Sequence, residues 1–467
     1  MDRFADVDTL LAEVAGQHRI PGLAAAAIVD GQVAHVGVHG WRDLERGQPM
    51  TADTPSRWYS ISKPLTALAL AKLVDEGKLR WETPVAELVP GLAFSDPVAT
   101  ALADVADCLL HCTGLPSGDW TWWQAPPHPR VLLQRLPHVP CPAGLRKGYH
   151  YQNLGFTILG EVFKSAGTDW HSAMQELLSP LGIKPLTRLE AFVAAPRALG
   201  YGPNGFSEPV RIDDFDFEAV APASAVCGSI RELAQVACAL VARGGSILPE
   251  SRWAEVVQPR VALPATPWPE MQQPCASLAS RSVVYRGEWM MQWAGGWCGY
   301  VSHLLAIPSR GIAACALANR SASPAAELLA LCLIDRAAGW NPLPWQQRLL
   351  EQKQALRQQA QQHLRTRLNR PRAAWPAKDI YGRFVHPSYG EFTIIETEGE
   401  PHLHFRHVQL PLVPRDDGSI SADGAGAGFN ELCWDLHPRI EGNRITAWLF
   451  NPDCPAKPCC FERVEDT

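Results

Sequence analysis

The chain is short of charge. Only 19% of its 467 residues are Asp, Glu, Lys or Arg, and 42 cationic against 48 acidic side chains leave a net charge of −6. On that mildly acidic balance nucleic acid is not expected as a main partner. With 46% hydrophobic residues the chain is not disordered. No apolar run reaches the roughly 18 residues of a membrane span. The opening stretch, Met1 to Gly22, carries early acids and no apolar segment of the secretory kind, so a cytoplasmic protein is expected. Thirteen cysteines include no C-x-x-C pair, and Cys459 and Cys460 are adjacent, a poor geometry for a mutual bridge. They are expected to be reduced, small buried hydrophobes, without a zinc site. There is no G-x-S-x-G elbow and no repeat of fixed period.

What is present is domain-sized patterning. At about 100–200 residues per domain the length allows two to four domains. Phe4–His18 reads as a first helix, and Leu23–Val29, Asp30-Gly31 and Gln32–Gly40 as a hairpin with a tight primed turn. In Leu65–Ala71 only Thr66 is polar, which predicts a helix buried on nearly all sides that stops at Gly77. Asn153–Lys164 and Leu329–Ala338 read as helices. Ser302–Ile307 and Ile312–Leu317 read as a second hairpin around Pro308–Gly311. Composition shifts near Trp340: Gln346–Arg370 is a polar, helix-favouring connector, ended by Pro371 and Pro376. Beyond Lys378 come seven short strand-like runs: 381–385, 391–397, 402–407, 409–413, 431–436, 444–450 and 460–463. They predict a small all-β domain of barrel or sandwich type. The run Gly424–Gly428 reads as a loop; no helix follows it, so it is not a phosphate cradle.

Two short motifs carry chemistry. In Ser60-Ile61-Ser62-Lys63, a Ser60 that opens the buried helix has Lys63 one turn on, on the same face. A neutral amine there can take the serine proton, and N–H groups at the helix start can meet a developing oxyanion. A serine cap with a chance lysine is the plainer reading of this motif alone. Ser62 competes as nucleophile but lacks a lysine three residues on. In Tyr151-Gln152-Asn153, a phenol can relay a proton and an amide can bond a substrate carbonyl, although Asn153 is also a good helix cap.

With their surroundings, these motifs resemble the serine β-lactamase and penicillin-binding-protein superfamily. The likeness is closest to class C β-lactamase-like enzymes and family VIII carboxylesterases. Ile20–Ala24 resembles the family's first strand and Ser60–Gly77 its nucleophile helix. Leu110–Pro116 resembles a loop that usually carries Thr or Ser where Cys112 stands. Tyr151–Phe156 resembles the second motif. The resemblance spans Phe4 to Trp340 and implies Ser60 as acylated nucleophile, Lys63 as its base and Tyr151 as proton relay, with Asn153 on the substrate. Where relatives carry Lys-Thr-Gly or His-x-Gly, this chain has Trp293-Ala294-Gly295-Gly296, similar to the Trp-Gly-Gly of family VIII esterases. An indole has one N–H and no charge, so the partner of a substrate carboxylate is missing, and uncharged esters or thioesters are favoured over β-lactams. Gly295 and Gly296 permit close backbone approach, and the Gly296 N–H is the candidate second oxyanion donor. The region after Lys378 resembles the lipocalin-like barrel that follows the catalytic domain in many of these hydrolases.

The expected architecture is therefore an α/β (α+β) β-lactamase-like transpeptidase fold. An antiparallel sheet flanked by helices and an all-helical region occupies residues 1–340, a helical linker 341–377 and a small β-barrel domain 378–467. The expected activity is that of a serine hydrolase on an ester, thioester or amide; an acyltransferase or peptide cyclase is the alternative, and a non-catalytic binding protein a more remote one. No cofactor or metal is expected. The partner is a small-molecule acyl donor, including a carrier-bound or thioester-linked one, and neither nucleic acid nor membrane. Other readings rank lower. His111 and Asp119 suggest a Ser-His-Asp set, and His402, His404 and His407 a metal cluster. Trp120, Trp122 and Trp123 read equally as packing or as the wall of an acyl pocket. Asp213, Asp214 and Asp216 read as an exposed acidic turn. Arg281 or Arg286 would receive a substrate carboxylate if Trp293 packs away from the site.

Overall fold

The structure is a computed structural model and describes residues 3–123, 128–203, 208–424, 432–453 and 458–464. The chain divides into two compact units. One comprises residues 1–91, 102–112 and 155–349; the other comprises 92–101, 113–154 and 350–467.

The first unit is built on an antiparallel sheet. Its strands are β1 (Gly22–Val29), β2 (Gln32–Asp43), β3 (Gln48–Pro49), β4 (Val261–Ala262), β5 (Met271–Ala276), β6 (Arg281–Tyr285), β7 (Glu288–Trp297), β8 (Tyr300–Ile307) and β9 (Ile312–Ala318), in the order β3-β2-β1-β9-β8-β7-β6-β5-β4. Both expected hairpins are present. Asp30 and Gly31 take φ of +51° and +72°, the left-handed pair that a primed turn requires. Gly311, at +68°, closes the turn between β8 and β9.

The period of two sends alternate residues to opposite faces. Leu23, Ala25 and Ala27 of β1, with Leu305, Ile307, Ala314 and Ala316, meet α1 (Val7–His18) through Val7, Leu11 and Val14. The same face meets a later helix, Ala325–Ala338, through Leu328, Leu331 and Ile334. The small residues of β1 and β9 let these helices lie close. The other face carries the helix Ile230–Val241, which packs on β1, β2, β8 and β9, and α2 (Ser62–Asp75) packs in turn against the helices Trp170–Leu178, Ala221–Ser224 and Glu250–Val257. Ten of the fourteen α2 residues are buried, so its uniformly apolar run forms a core helix. Its end follows the expected stop: Gly77, at φ +70°, donates to Val74 O, and Lys78 N to Leu73 O. Its start differs from expectation. Ser60 does not cap α2; it sits in a 3₁₀ turn, Tyr59–Ile61, that runs into the helix.

In the second unit the connector is a 24-residue helix, Trp345–Leu368, most of which belongs to this unit. After it, eight antiparallel strands close into a barrel: 382–386, 390–397, 400–405, 408–414, 420–424, 432–441, 444–450 and 459–464. The sequence showed seven of these; Ile420–Gly424 was missed. The expected loop at Gly424–Gly428 begins on the last residue of that strand, and its residues 425–428 lie outside the described residues. The barrel interior is filled rather than hollow. Phe450 stacks on Phe461 at 4.8 Å, Phe392 lies 5.1 Å from Phe461, and Phe384 stacks on Phe392 at 5.3 Å. Arg367, in the last turn of the connector helix, pairs with Asp423 at 2.7 Å and Asp435 at 2.9 Å, which fixes that end of the helix to the barrel.

No helix among the described residues is long and apolar enough to cross a membrane.

Candidate active site

The site is best built from the backbone that precedes Ser60. Trp58 N donates to Val226 O at 3.1 Å, Trp58 Nε1 to Gly228 O at 3.0 Å, and Ser302 Oγ to Trp58 O at 2.7 Å. Tyr59 follows at φ +48°, a left-handed conformation that costs a bulky residue about 1–3 kcal/mol and is found where the surroundings enforce it. Here the ring is buried, and its hydroxyl donates to Cys298 O at 2.7 Å, in the turn between β7 and β8. Burial pushes the Tyr59 phenol well above its usual range, so it acts as a neutral donor.

The enforced turn presents Ser60 partly exposed, with Lys63 one turn on. Lys63 is 5% exposed. Its Nζ lies 3.0 Å from Ser60 Oγ, within reach for proton transfer, and also donates to Ala223 O at 3.3 Å. The Phe156 ring lies 5.4 Å from Nζ. Ser62 is placed differently from Ser60: it is fully buried, and its Oγ accepts from Val226 N at 3.0 Å, a structural bond.

Strand β7 runs beside this turn. A Cβ on Gly295 would stand 2.1 Å from Trp58 O and 2.8 Å from Ser60 N, so only glycine fits where the strand and the Ser60 turn touch. Trp293, two residues earlier, shares that face of β7. It is 2% exposed, and its Nε1 has no hydrogen-bond partner among the described residues. Gly296 lies on the opposite face, paired with Val301. Arg281 pairs with Gln292 and so lies on the face away from Trp293. Arg286 donates to Asn341 O at 2.9 Å and lies 3.4 Å from Asp335. The Arg286 guanidinium is thus engaged by Asn341 and Asp335, and Arg281 lies on the face away from Trp293.

Behind Tyr59 lies a network that the sequence did not reveal. Buried Arg57 sits over the rings of Phe192 at 4.8 Å and Phe217 at 5.1 Å, and donates to Phe215 O at 2.9 Å. Its Nε is 3.7 Å from Asp214, which also accepts from Arg197 at 2.5 Å and from Tyr300 OH at 3.3 Å. Asp213 and Asp216 are exposed as expected, but Asp214 is an ion-pair centre, which corrects the reading of all three as an exposed turn. Its cationic partners are 17 and 157 residues away, beyond the reach of local pattern.

In the second unit, Tyr151 is 42% exposed. Gln152 is fully buried and donates to Thr113 Oγ1 at 2.6 Å; Asn153 Nδ2 donates to Asp119 Oδ1 at 2.8 Å. Asp119 is thus bound to Asn153. His111 belongs to the first unit, buried at φ +57°, with its ring 5.5 Å from Phe156. Trp120 packs on Trp123 at 5.3 Å and on the barrel residues Phe405 and Trp434, which favours the packing reading of this cluster. His402 Nδ1 meets Glu400 O and His404 Nε2 meets Thr397 Oγ1. No group of three or more His, Cys, Asp or Glu suited to a metal occurs among the described residues.

A family model described as Beta-lactamase matches residues 7–339. An unguisins hydrolase of Aspergillus campestris is 27% identical over 409 residues, covering 81% of this chain and 75% of its own. The esterase EstB of Burkholderia gladioli is 30% identical over 236 residues, 45% of this chain and 57% of its own. Among solved structures, the octameric penicillin-binding protein homologue from Pyrococcus abyssi superposes with a TM-score of 0.66 at 19% identity. It covers 99% of this chain and all of its own, and so shares the fold of both units. The chain belongs to the β-lactamase family, within the serine β-lactamase and penicillin-binding-protein superfamily.

Proposed function

We propose that the protein is a serine hydrolase that works through an acyl-enzyme on Ser60. The observation that carries this is Lys63 Nζ at 3.0 Å from Ser60 Oγ, on a turn whose backbone nitrogen abuts Gly295. Lys63 takes the Ser60 proton as Oγ attacks the substrate carbonyl. The carbonyl oxygen becomes negative and accepts from the Ser60 N–H and the Gly296 N–H. Tyr151 relays the proton that Lys63 took to the leaving oxygen, sulfur or nitrogen, and the carbonyl re-forms as that bond breaks. Water repeats the addition on the acyl-enzyme and frees Ser60. The roles of Tyr151 and Asn153 rest on the Tyr-x-Asn motif and the family.

The substrate is a neutral ester, thioester or amide, including one linked to a carrier. Trp293 supports this choice. It offers a buried indole N–H on the face of β7 that meets Ser60, and it brings no charge to hold a carboxylate. The unguisins hydrolase and the esterase among the relatives fit hydrolysis. Transfer of the acyl group to an amine or alcohol, which makes an acyltransferase or cyclase, uses the same acyl-enzyme with another acceptor. Turnover of a short neutral activated ester by the full chain tests the reading. Lys63→Met should lower that turnover by about 10²-fold or more while the protein stays folded. Near-normal turnover in a folded Lys63→Met protein would overturn it.

A further inference from the structure

The segment 113–154 ends on Tyr151-Gln152-Asn153 and belongs to the same compact unit as the barrel. Three contacts join the start of this segment to its end, two of them to the motif and one to Leu154 that follows it. Thr113 Oγ1 accepts from Gln152, and Asp119 Oδ1 accepts from Asn153. Gly118, at φ +67°, lies so near Leu154 that a Cβ would fall 2.1 Å from Leu154 Cδ1.

The turn Ser117–Thr121 is in turn held by the barrel. Trp120 stacks on Phe405, with centroids 5.4 Å apart and 24° between planes, and meets Trp434 edge-on at 5.0 Å. Asp453, in the connection after the strand Arg444–Phe450, accepts from Ser117 Oγ at 3.3 Å and lies 3.5 Å from Trp120 N. That connection is itself tied inward. Asn451 Oδ1 accepts from both Tyr389 OH, at 3.1 Å, and Asp453 N, at 3.0 Å.

We propose that the barrel orients Asn153: it fixes the turn Ser117–Thr121, and Asp119 on that turn holds the Asn153 carboxamide in one rotation. The inference rests on the reading of Asn153 as a substrate-binding amide. The physical reason is specific. The last torsion of an asparagine is broad and nearly two-fold, so a free carboxamide presents either its oxygen or its nitrogen. A carboxylate only accepts, so Asp119 selects the nitrogen end and fixes where the second N–H and the oxygen point. Asp119 and Asp453 are positioning residues, and the barrel serves the site without lending it a catalytic group.

The test uses the full chain and p-nitrophenyl acetate. Asp119→Ala should lower kcat by about 10- to 100-fold, the scale of a misplaced group, with KM within about 2-fold. Asp119→Asn, whose carboxamide can still accept from Asn153 but can also donate to it and so selects one end less strictly, should recover part of the kcat that Asp119→Ala loses. Asp453→Ala should lower kcat less, and the double variant Asp119→Ala/Asp453→Ala should be no slower than Asp119→Ala alone, because both act through one turn. A thermal melt of each variant separates these effects from lost folding, and if Asp119→Ala does not fold, Asp119→Asn and Asp453→Ala carry the test. Wild-type kcat in Asp119→Ala, equal losses in the Ala and Asn variants, or additive losses in the double variant would overturn the proposal. If the unaltered protein neither turns over the ester nor gains an acyl group on Ser60, the functional reading fails and this one with it. If the unaltered protein is active and Asp119→Ala matches it, only the positioning role fails.

Discussion

Gly295→Ala probes the contact on which the site depends. The new methyl would stand 2.1 Å from Trp58 O, 2.7 Å from Ser302 Oγ and 2.8 Å from Ser60 N. An ordinary contact needs roughly 1 Å more than the first of these distances. The Ser60 turn cannot retreat cheaply, because Trp58 is held through its N, O and Nε1. Strand β7 cannot retreat cheaply either, since Gly295 is paired with Ser302 of β8 and the preceding residues 288–292 are paired with β6. Overpacking of this kind costs about 1–3 kcal/mol. A shift of roughly 1 Å at Ser60 N removes one oxyanion donor, a loss of about 10²- to 10³-fold in kcat. The assay is the initial rate on a short neutral activated ester, with a thermal melt alongside. Gly296→Ala is the comparison: its methyl meets Val301 Cγ1 at 3.3 Å, the end of a side chain on the other face, and Tyr300 O at an ordinary 3.9 Å. It should cost far less, under about 10-fold. A folded Gly295→Ala protein within about 3-fold of the unaltered rate, or equal losses at both glycines, would refute the reasoning.

Three further outcomes follow from named contacts. Ser62→Ala should keep Ser60 chemistry but lower stability by about 1–3 kcal/mol in denaturant unfolding, because Val226 N–H loses a buried acceptor; lost acylation in a folded variant would contradict this. The unaltered protein should prefer a neutral ester to a penicillin, and Trp293→His should narrow that preference by about 10-fold below pH ~6.5, where imidazole carries charge; an unchanged ratio would place Trp293 outside the substrate site. Burial, and after it the Asp119 carboxylate, push the Asp453 carboxyl up to about 7. Between the unfolded value near ~4 and about 7 the folded state binds the extra proton, so stability falls as pH rises through that window. The melting temperature of Asp453→Asn should therefore gain on that of the unaltered protein from pH ~4 to ~7 and hold its lead above, by no more than about 4 kcal/mol in stability. Parallel curves would show that Asp453 titrates normally.

The residues that sequence made legible share a short range. Asp30-Gly31, Gly77 and Ser60 with Lys63 each express one local rule: a turn, a stop, a helical spacing. What stayed hidden depends on distant partners or on enforced backbone. Ser60 lies in a 3₁₀ turn because Tyr59 is held left-handed by Cys298 O, 239 residues on. Asp214 looked like one acid among three until Arg57 and Arg197 were placed beside it. Trp120 was ambiguous because Phe405 and Trp434, which it packs on, follow it by about 300 residues. The strand Ile420–Gly424 escaped because four of its five residues are buried, so no apolar–polar alternation marks it. Gly295 was named for close approach, but what approaches it was visible only in three dimensions.

The central claim is that Ser60 is acylated. Its direct measurement is intact-mass analysis of the full chain after brief exposure to an activated ester, followed by peptide mapping of the adduct. The account predicts a single added acyl mass on the peptide containing Ser60, absent in Ser60→Ala and retained in Ser62→Ala. An adduct on another residue, or one that persists in Ser60→Ala, would contradict it.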